Sequence, residues 1–219
     1  MPTPPLPELD HVLVDVRKAY RMLYHYQRRV MDVVSYLKET LRFPESVGYT
    51  KFCGGQPRNG YWVNLSNWAW DWLGMYHYEF HLGAKVVNPG QTLRCSVWII
   101  SDTGFYDAPP TETSPTAPAT FASAAEAQTK LLFEVGLNTW HHLVTGDDSY
   151  EEEFKQICSQ ASFSSRLWKD AAGGILLAKS YPLARFHSIE SVQEVIAELL
   201  AFCTQNGVPN LSELATNSI

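Results

Sequence analysis

The sequence predicts an α+β protein in which a long N-terminal amphipathic helix packs on a mainly antiparallel sheet and C-terminal helices complete the layer. Three observations predict it: a heptad pattern from Leu9 to Leu41, a change to period two after Pro44, and a second helical pattern from Ile189 to Thr204. Hydrophobic residues make up 45% and charged residues 18% of the 219 positions, which suits a packed core and excludes a disordered chain.

We expect one domain over residues 1–219, with a proline-rich tail at 1–7. Residues 108–127 are rich in Pro, Thr, Ser and Ala and predict a flexible insertion.

The N-terminal helix carries the strongest periodic signal in the chain. Apolar residues recur at alternating steps of four and three, broken only by Gln27, along Leu9, Leu13, Val16, Tyr20, Leu23, Val30, Val34, Leu37 and Leu41. A second row, formed by Val12, Ala19, Tyr26 and Val33, makes this face wider than a two-stranded seam needs. About 33 residues would span roughly 50 Å, so we expect a protein partner or a second copy to cover part of the helix.

Gln27 is the polar interruption, and two interpretations stay open. It would fix the register of a paired helix, or it would lie at the sheet edge in contact with water.

Period two and turn residues predict the strands. They are Tyr49–Phe52, a long strand or hairpin within 61–82 that turns near Gly74, Leu93–Ile100, Lys130–Leu137 and Ile175–Phe186. Asn88, Pro89 and Gly90 predict a turn, and an antiparallel meander is the simplest connection. Pro182 favours an edge strand or a bulge for the last segment.

Two further helices are predicted after the sheet begins. The segment Asp147–Gln160 is predicted to be helical because acidic residues lie near its start. Ser188 would cap the final helix over Ile189–Thr204.

The four cysteines lie far apart, with no CxxC pair, and predict free, buried thiols. The chain has no P-loop, GxGxxG or GxSxG motif, so we expect no cofactor. It also lacks a run of about 18 apolar residues or a secretory signal, which leads us to expect a cytoplasmic protein that does not engage membranes.

Charge is distributed unevenly along the chain. Residues 1–60 carry a net charge of +3 and residues 61–219 a net charge of −9. A basic cluster without an intervening acid consists of Arg17, Lys18, Arg21, Arg28 and Arg29. It is a solvated helix face, a surface for an acidic protein, or a nucleic-acid contact, and the overall charge of −6 disfavours the last.

His77, Glu79 and His81 alternate along one predicted strand and therefore share a face. Imidazole and carboxylate groups suit a transition metal, with His141, His142 or Asp102 as a further ligand. The alternative is that these side chains form the polar face of a strand beside water.

The order helix, three strands, helix, strand over Leu9 to Phe186 resembles the core order of the PD-(D/E)XK nuclease superfamily. That resemblance implies a magnesium site formed by an acidic residue and a (D/E)xK pair. In this chain Glu79 is followed two positions later by His81 where the motif has lysine, so a topological likeness remains.

Large aromatic rings are concentrated between residues 61 and 78. Trp68, Trp70 and Trp72 alternate, so in a strand they would share one face, in the core or at a recognition surface.

Together these features predict a non-enzymatic protein-interaction module, such as an adaptor, inhibitor, chaperone or accessory subunit. The binding residues would be Arg17, Tyr20, Arg21, Gln27, Arg28, Trp68, Trp70 and Trp72. The alternative is a metal-dependent hydrolase or nuclease that uses His77, Glu79, His81 and Asp102.

Overall fold

A computed structural model describes residues 6–53, 69–108, 117–140, 158–159 and 165–212. It confirms the α+β class and the antiparallel sheet. The helices and strands are α1 (Leu6–Leu41), β1 (Val47–Thr50), β2 (His77–Asn88), β3 (Gln91–Ile100), β4 (Lys130–Leu137), β5 (Arg166–Lys169), β6 (Ile175–Pro182) and α2 (Ile189–Gln205).

The chain divides into two compact units, Met1–Tyr36 and Leu37–Ile219. A single domain over the whole chain stays a prediction.

Helix α1 is continuous over 36 residues, which confirms the prediction of one long helix, and it begins three residues earlier than expected. It ends where Arg42 adopts a left-handed conformation with φ of 57°. The Phe43 N–H then donates to the Lys38 carbonyl at 3.1 Å and the Arg42 N–H to the Glu39 carbonyl at 3.2 Å. These two bonds form a Schellman motif, which satisfies carbonyl groups at the helix end.

The six strands form one antiparallel sheet in the order β1-β2-β3-β4-β6-β5. Strands β1 to β4 follow the chain as the predicted meander, and the Pro89-Gly90 turn joins β2 to β3. Gly90 has a φ of 76°, the positive value that a type II turn requires at its second central residue.

Two predictions about strands are wrong. Ala69–Trp72 forms a 3₁₀ turn instead of a strand, so Trp70 and Trp72 do not alternate across a sheet, and β2 begins only at His77. Local bonds stabilise the turn, with the Leu73 N–H donating to the Trp70 carbonyl at 2.9 Å. Residues 61–68, including Trp68, lie outside the described residues.

The second correction concerns Pro182. Strand β6 lies between β4 and β5 instead of at an edge. Pro182 is its last residue and begins the passage into a 3₁₀ turn over Leu183–Phe186, so the ring interrupts no hydrogen bond within the ladder. The edge position belongs to β5, a four-residue strand that the sequence pattern did not reveal.

Part of the expected insertion is described. Pro118–Thr120 forms a 3₁₀ turn, and the Ala122 N–H donates to the Gly104 carbonyl at 2.9 Å. Residues 109–116 lie outside the described residues, as does nearly all of the predicted helix Asp147–Gln160.

Both faces of the central sheet are buried, and all eight residues of β4 are buried. On one face Phe133 contacts Tyr181 and Phe186, and Lys179 lies 5.0 Å from the ring of Phe202 on α2. On the other face a hydrophobic cluster contains Trp98, Ile100, Leu132, Cys158 and Ala178.

The four cysteines are free and buried, as predicted. Neither α1 nor α2, the helices of the described part, combines the length and apolar character that crossing a membrane requires.

Ser188 caps α2, as the sequence predicts. Its hydroxyl accepts from the Ser191 N–H at 3.2 Å, and its own N–H donates to the Ser191 hydroxyl at 3.0 Å. Replacing Ser188 by Ala should lower the free energy of unfolding by about 1 kcal/mol, measured by urea denaturation, because the Ser191 N–H loses its acceptor. Ser188→Asp keeps an acceptor and should lose less; equal losses would contradict the capping role.

Candidate functional site

One face of α1 is apolar and exposed over its first half. Its heptad positions from Leu9 to Leu23, which we call the exposed stripe, are Leu9, Leu13, Val16, Tyr20 and Leu23. Each of these side chains is at least 38% exposed and Tyr20 is 70% exposed. The same heptad positions become buried from Val30 onward. The exposed stripe is therefore an apolar helix surface that is open to solvent among the described residues.

Gln27 lies where the stripe changes from exposed to buried, and its side chain is half-buried. Val30, one turn further along, is fully buried. The predicted role of Gln27 in register or water contact stays a prediction.

Of the basic cluster, Arg17 flanks the exposed stripe whereas Lys18 lies on the opposite face of α1. Part of the cluster's charge is paired within the helix. Lys18 contacts Asp15 at 3.0 Å, and Arg28 contacts Asp32 at 3.1 Å, in both cases as exposed pairs within one helical turn. Such exposed pairs contribute little stability, on the order of 0–1 kcal/mol each. Arg17 and Arg21 are also exposed.

The predicted tryptophan surface separates into two environments. Trp70 packs in an aromatic cluster made of Phe52, Trp70, Tyr76, Phe105 and Phe121, with ring centroids 4.6 Å apart for Trp70 and Tyr76. Trp72 is 53% exposed. Trp70 thus serves packing, and Trp72 is the exposed ring of the two.

His77, Glu79 and His81 share one face of β2, as the alternation predicts. The expectation that this face contacts water is wrong for His77 and Glu79, which are buried. Antiparallel register places Trp98 directly opposite Glu79, and Ser96 opposite His81. The His77 and Glu79 side chains are therefore buried on a face of the sheet, whereas His81 is half-buried.

Glu79, His81, Ser96 and Lys51 form a connected set that we call the polar cluster. The Ser96 hydroxyl donates to Glu79 Oε1 at 2.6 Å and lies 3.0 Å from His81 Nδ1. Since the serine proton goes to the carboxylate, His81 Nδ1 is the donor to the hydroxyl oxygen. His81 is therefore not positioned to take a proton from Ser96, as a nucleophilic serine would require.

Lys51 supplies the positive charge of the polar cluster. Its Nζ lies 2.8 Å from Glu79 Oε2 and 4.8 Å from the centre of the Trp98 ring. The Lys51 side chain is only 12% exposed, and that of Glu79 is fully buried. A buried carboxylate needs such a partner, because an uncompensated charge in this environment strongly destabilises a fold.

A second buried carboxylate, Glu134, lies beside this cluster on β4, opposite Ser96. Its Oε2 accepts from Trp98 Nε1 at 3.2 Å. Burial, followed by the negative charge of Glu79, raises the pKa of Glu134 well above its usual range. The folded protein therefore favours the protonated form of Glu134 more strongly than the unfolded chain does.

His77 lies apart from the polar cluster. Its Nδ1 is 2.7 Å from the Tyr106 hydroxyl. Burial, followed by the positive charge of Lys51, lowers the pKa of His77 to about 3. The ring stays neutral in the folded protein, whereas an unfolded histidine takes up a proton below about pH 6.5. Stability associated with His77 is therefore present above that pH and is lost as the pH falls from about 6.5 toward 3.

The proposed metal ligands have other contacts in this structure. Glu79 and His81 meet through Ser96, and Asp102 caps a 3₁₀ turn by accepting from the Gly104 N–H at 2.8 Å. Within the described ranges no group of three or more His, Cys, Asp and Glu is arranged to hold a metal ion. His141 and His142 lie outside those ranges, and the metal site stays a prediction.

Sequence reasoning missed Lys51, Ser96 and Glu134. A signal for Glu134 was present, because a lone acidic residue within the apolar run of Lys130–Leu137 implies a buried carboxyl group. Lys51 and Ser96 had no such signal, since their contacts with Glu79 cross 28 and 17 positions of sequence.

Comparison with known proteins gives one match. A family model named PM0109 matches residues 7–211, which is nearly the whole chain. No curated protein and no solved structure matches.

The polar cluster predicts a large effect for its lysine. Lys51→Met should lower the free energy of unfolding by about 3–5 kcal/mol, measured by urea denaturation, because Glu79 would remain buried without its cation. The control Lys18→Met removes an exposed ion pair and should cost less than about 1 kcal/mol. Similar losses in the two variants would show that the Lys51 pair is not a buried interaction.

Glu134 predicts a pH-dependent effect. The pKa of this carboxyl is higher in the folded protein than in the unfolded chain, where it ionises above about pH 4.5, so the wild type loses stability from this group as the pH rises. Glu134→Gln removes that proton exchange and keeps an acceptor for Trp98. Its stability relative to wild type should therefore increase from pH 5 to pH 8 in thermal unfolding.

Glu126→Gln, at an exposed position, serves as the control and should show no such increase. A Glu134→Gln difference that stays constant across this pH range would contradict a neutral buried Glu134.

Proposed function

The chain belongs to the PM0109 family, a name that states no activity. From the exposed surface of α1 we propose that the protein is an interaction module that docks another polypeptide on the exposed stripe. One observation carries this proposal. Of the sixteen large hydrophobic side chains that are exposed in the described ranges, ten lie on α1 between Leu9 and Met31. Concentrated apolar exposure of this kind marks interaction surfaces, whereas scattered apolar residues do not.

The spacing of the exposed stripe favours a helical partner. Its residues recur at alternating steps of four and three along the chain. This is the spacing of helices that pack side by side with the side chains of one helix inserted between those of the other. Val12, at 54% exposed, adds a second apolar row on one flank. A helix laid along this face would bury both rows at once.

The hydrolase or nuclease alternative has less support. His77 and Glu79 are buried, and the polar groups of the cluster satisfy one another through Ser96 and Lys51. Nucleic-acid binding is also disfavoured, because Lys18 and Arg28 are paired with carboxylates and the net charge is −6. Free thiols suit a reducing compartment, so we propose that the module acts in the cytoplasm.

Site-specific photo-cross-linking in host cells tests the docking surface. A benzophenone amino acid in place of Val16, on the exposed stripe, should give a covalent adduct with another polypeptide. The same group in place of Lys18, which is exposed on the opposite face of α1, should give little or none. No adduct from position 16, or equal adducts from both positions, would overturn the proposal.

A further inference from the structure

We infer that the polypeptide docked on the exposed stripe is α1 of a second copy of this chain, paired antiparallel about a twofold axis between Val14 and Asp15. This inference rests on the proposed function and specifies its partner. Three features of α1 support it: the apolar layers that this register creates, the charges that flank them, and the poor fit of every neighbouring register.

The antiparallel register pairs apolar with apolar along the exposed stripe. Leu9 of one copy faces Tyr20 of the other, and Leu13 faces Val16, so the twofold axis produces four apolar layers from two kinds of contact. Gln27 lies beyond these layers and enters none of them.

The flanks of this register are complementary. On one side Asp10 lies beside Arg17 of the second copy, and symmetry repeats that ion pair. On the other side Val12 lies beside Ala19, which explains why the apolar face is wider than a simple seam. Symmetry thus gives two cross-chain ion pairs and two apolar flanking contacts from one alignment.

Asp10 and Arg17 are available for this contact. Neither has an ion pair within the part of the chain that the structure describes, whereas Lys18 and Arg28 contact Asp15 and Asp32 on their own helix. The two charges that the register requires are therefore among those of α1 that have no ion pair within the described residues.

Neighbouring antiparallel registers are electrostatically unfavourable. A shift of one heptad in one direction places Arg17 beside Arg17 of the second copy and Leu9 against Gln27. A shift in the other direction places Asp10 beside Asp10. Like charges in contact cost free energy, so the charge pattern selects one alignment out of three.

A parallel pair is disfavoured for the same reason. It would bring each basic residue of the cluster close to the same residue of the second copy. It would also make the two helix dipoles point in the same direction, which is unfavourable. It would also pair Gln27 with Gln27. The antiparallel arrangement instead places the basic segment around Arg17 and Arg21 beside the acidic segment around Asp10 and Asp15.

Cysteine cross-linking in purified full-length protein tests the alignment. Leu9→Cys mixed with Tyr20→Cys should form an intermolecular disulfide, whereas each variant alone should not. A parallel pair would give the reverse pattern. Leu9→Cys mixed with Leu13→Cys is the matched control and should stay uncrosslinked, and the wild type, with four buried thiols, gives the background.

Charge exchange tests the flanking contact. Asp10→Arg should raise the dimer dissociation constant roughly tenfold, because two ion pairs become two repulsions. Asp10→Arg combined with Arg17→Asp should restore dimer formation to near the wild-type level. A double variant as weak as the single variant would overturn the register.

Light scattering separates this inference from the proposed function. A mass twice 24.7 kDa at micromolar concentration supports the second copy. Monomeric protein whose position-16 adduct contains a different polypeptide overturns the second copy but supports docking. Monomeric protein that gives no adduct and sediments with phosphatidylserine vesicles overturns both.

Discussion

The burial of both faces of the central strands is the constraint on which the rest of this structure depends. Strand β4 has no exposed residue, although it contains Lys130 and Glu134. Each polar group in that layer must find a partner inside the protein, because water cannot solvate it. Lys130 accordingly donates to the Ser159 carbonyl, and Glu134 accepts from Trp98.

This constraint explains why the strongest candidate for chemistry is a closed network. A carboxylate, an imidazole and a hydroxyl lie within hydrogen-bond distance on β2 and β3, a set of groups that also occurs in active sites. In the structure Lys51 neutralises Glu79, and Ser96 uses its proton to bind that same carboxylate. Polar residues in the middle of a sheet can therefore specify strand register and a unique core without contacting any substrate.

The exposed stripe of α1 presents the opposite situation. Apolar side chains such as Leu13 and Val16 keep the spacing of a packed helix but remain in solvent, although burial would be favourable by about 25 cal/mol per Å². A single helix does not remove this surface from water by itself. The second polypeptide that we propose would do so, and Asp10 and Arg17, which have no ion pair within the described residues, would select its direction and register.

Long, regular patterns made the sequence informative. The heptad spacing determined α1, the alternation after Met75 determined which side chains of β2 share a face, and Ser188 marked the start of α2. The secondary structure of shorter or locally hydrogen-bonded segments could not be predicted from their sequence pattern. Ala69–Trp72 alternates like a strand but forms a 3₁₀ turn because its backbone bonds are satisfied locally, and β5 is too short to show a period.

The sequence by itself determined the secondary structure of the long elements and the apolar and polar faces of each, because those depend on the spacing of neighbouring residues. Only the tertiary structure decided which faces are covered. It buried His77 and Glu79, joined Lys51 to a carboxylate 28 positions away, and left Leu9 to Leu23 exposed while burying Val30. Burial and ion pairing depend on contacts between distant segments, and a local pattern does not contain that information.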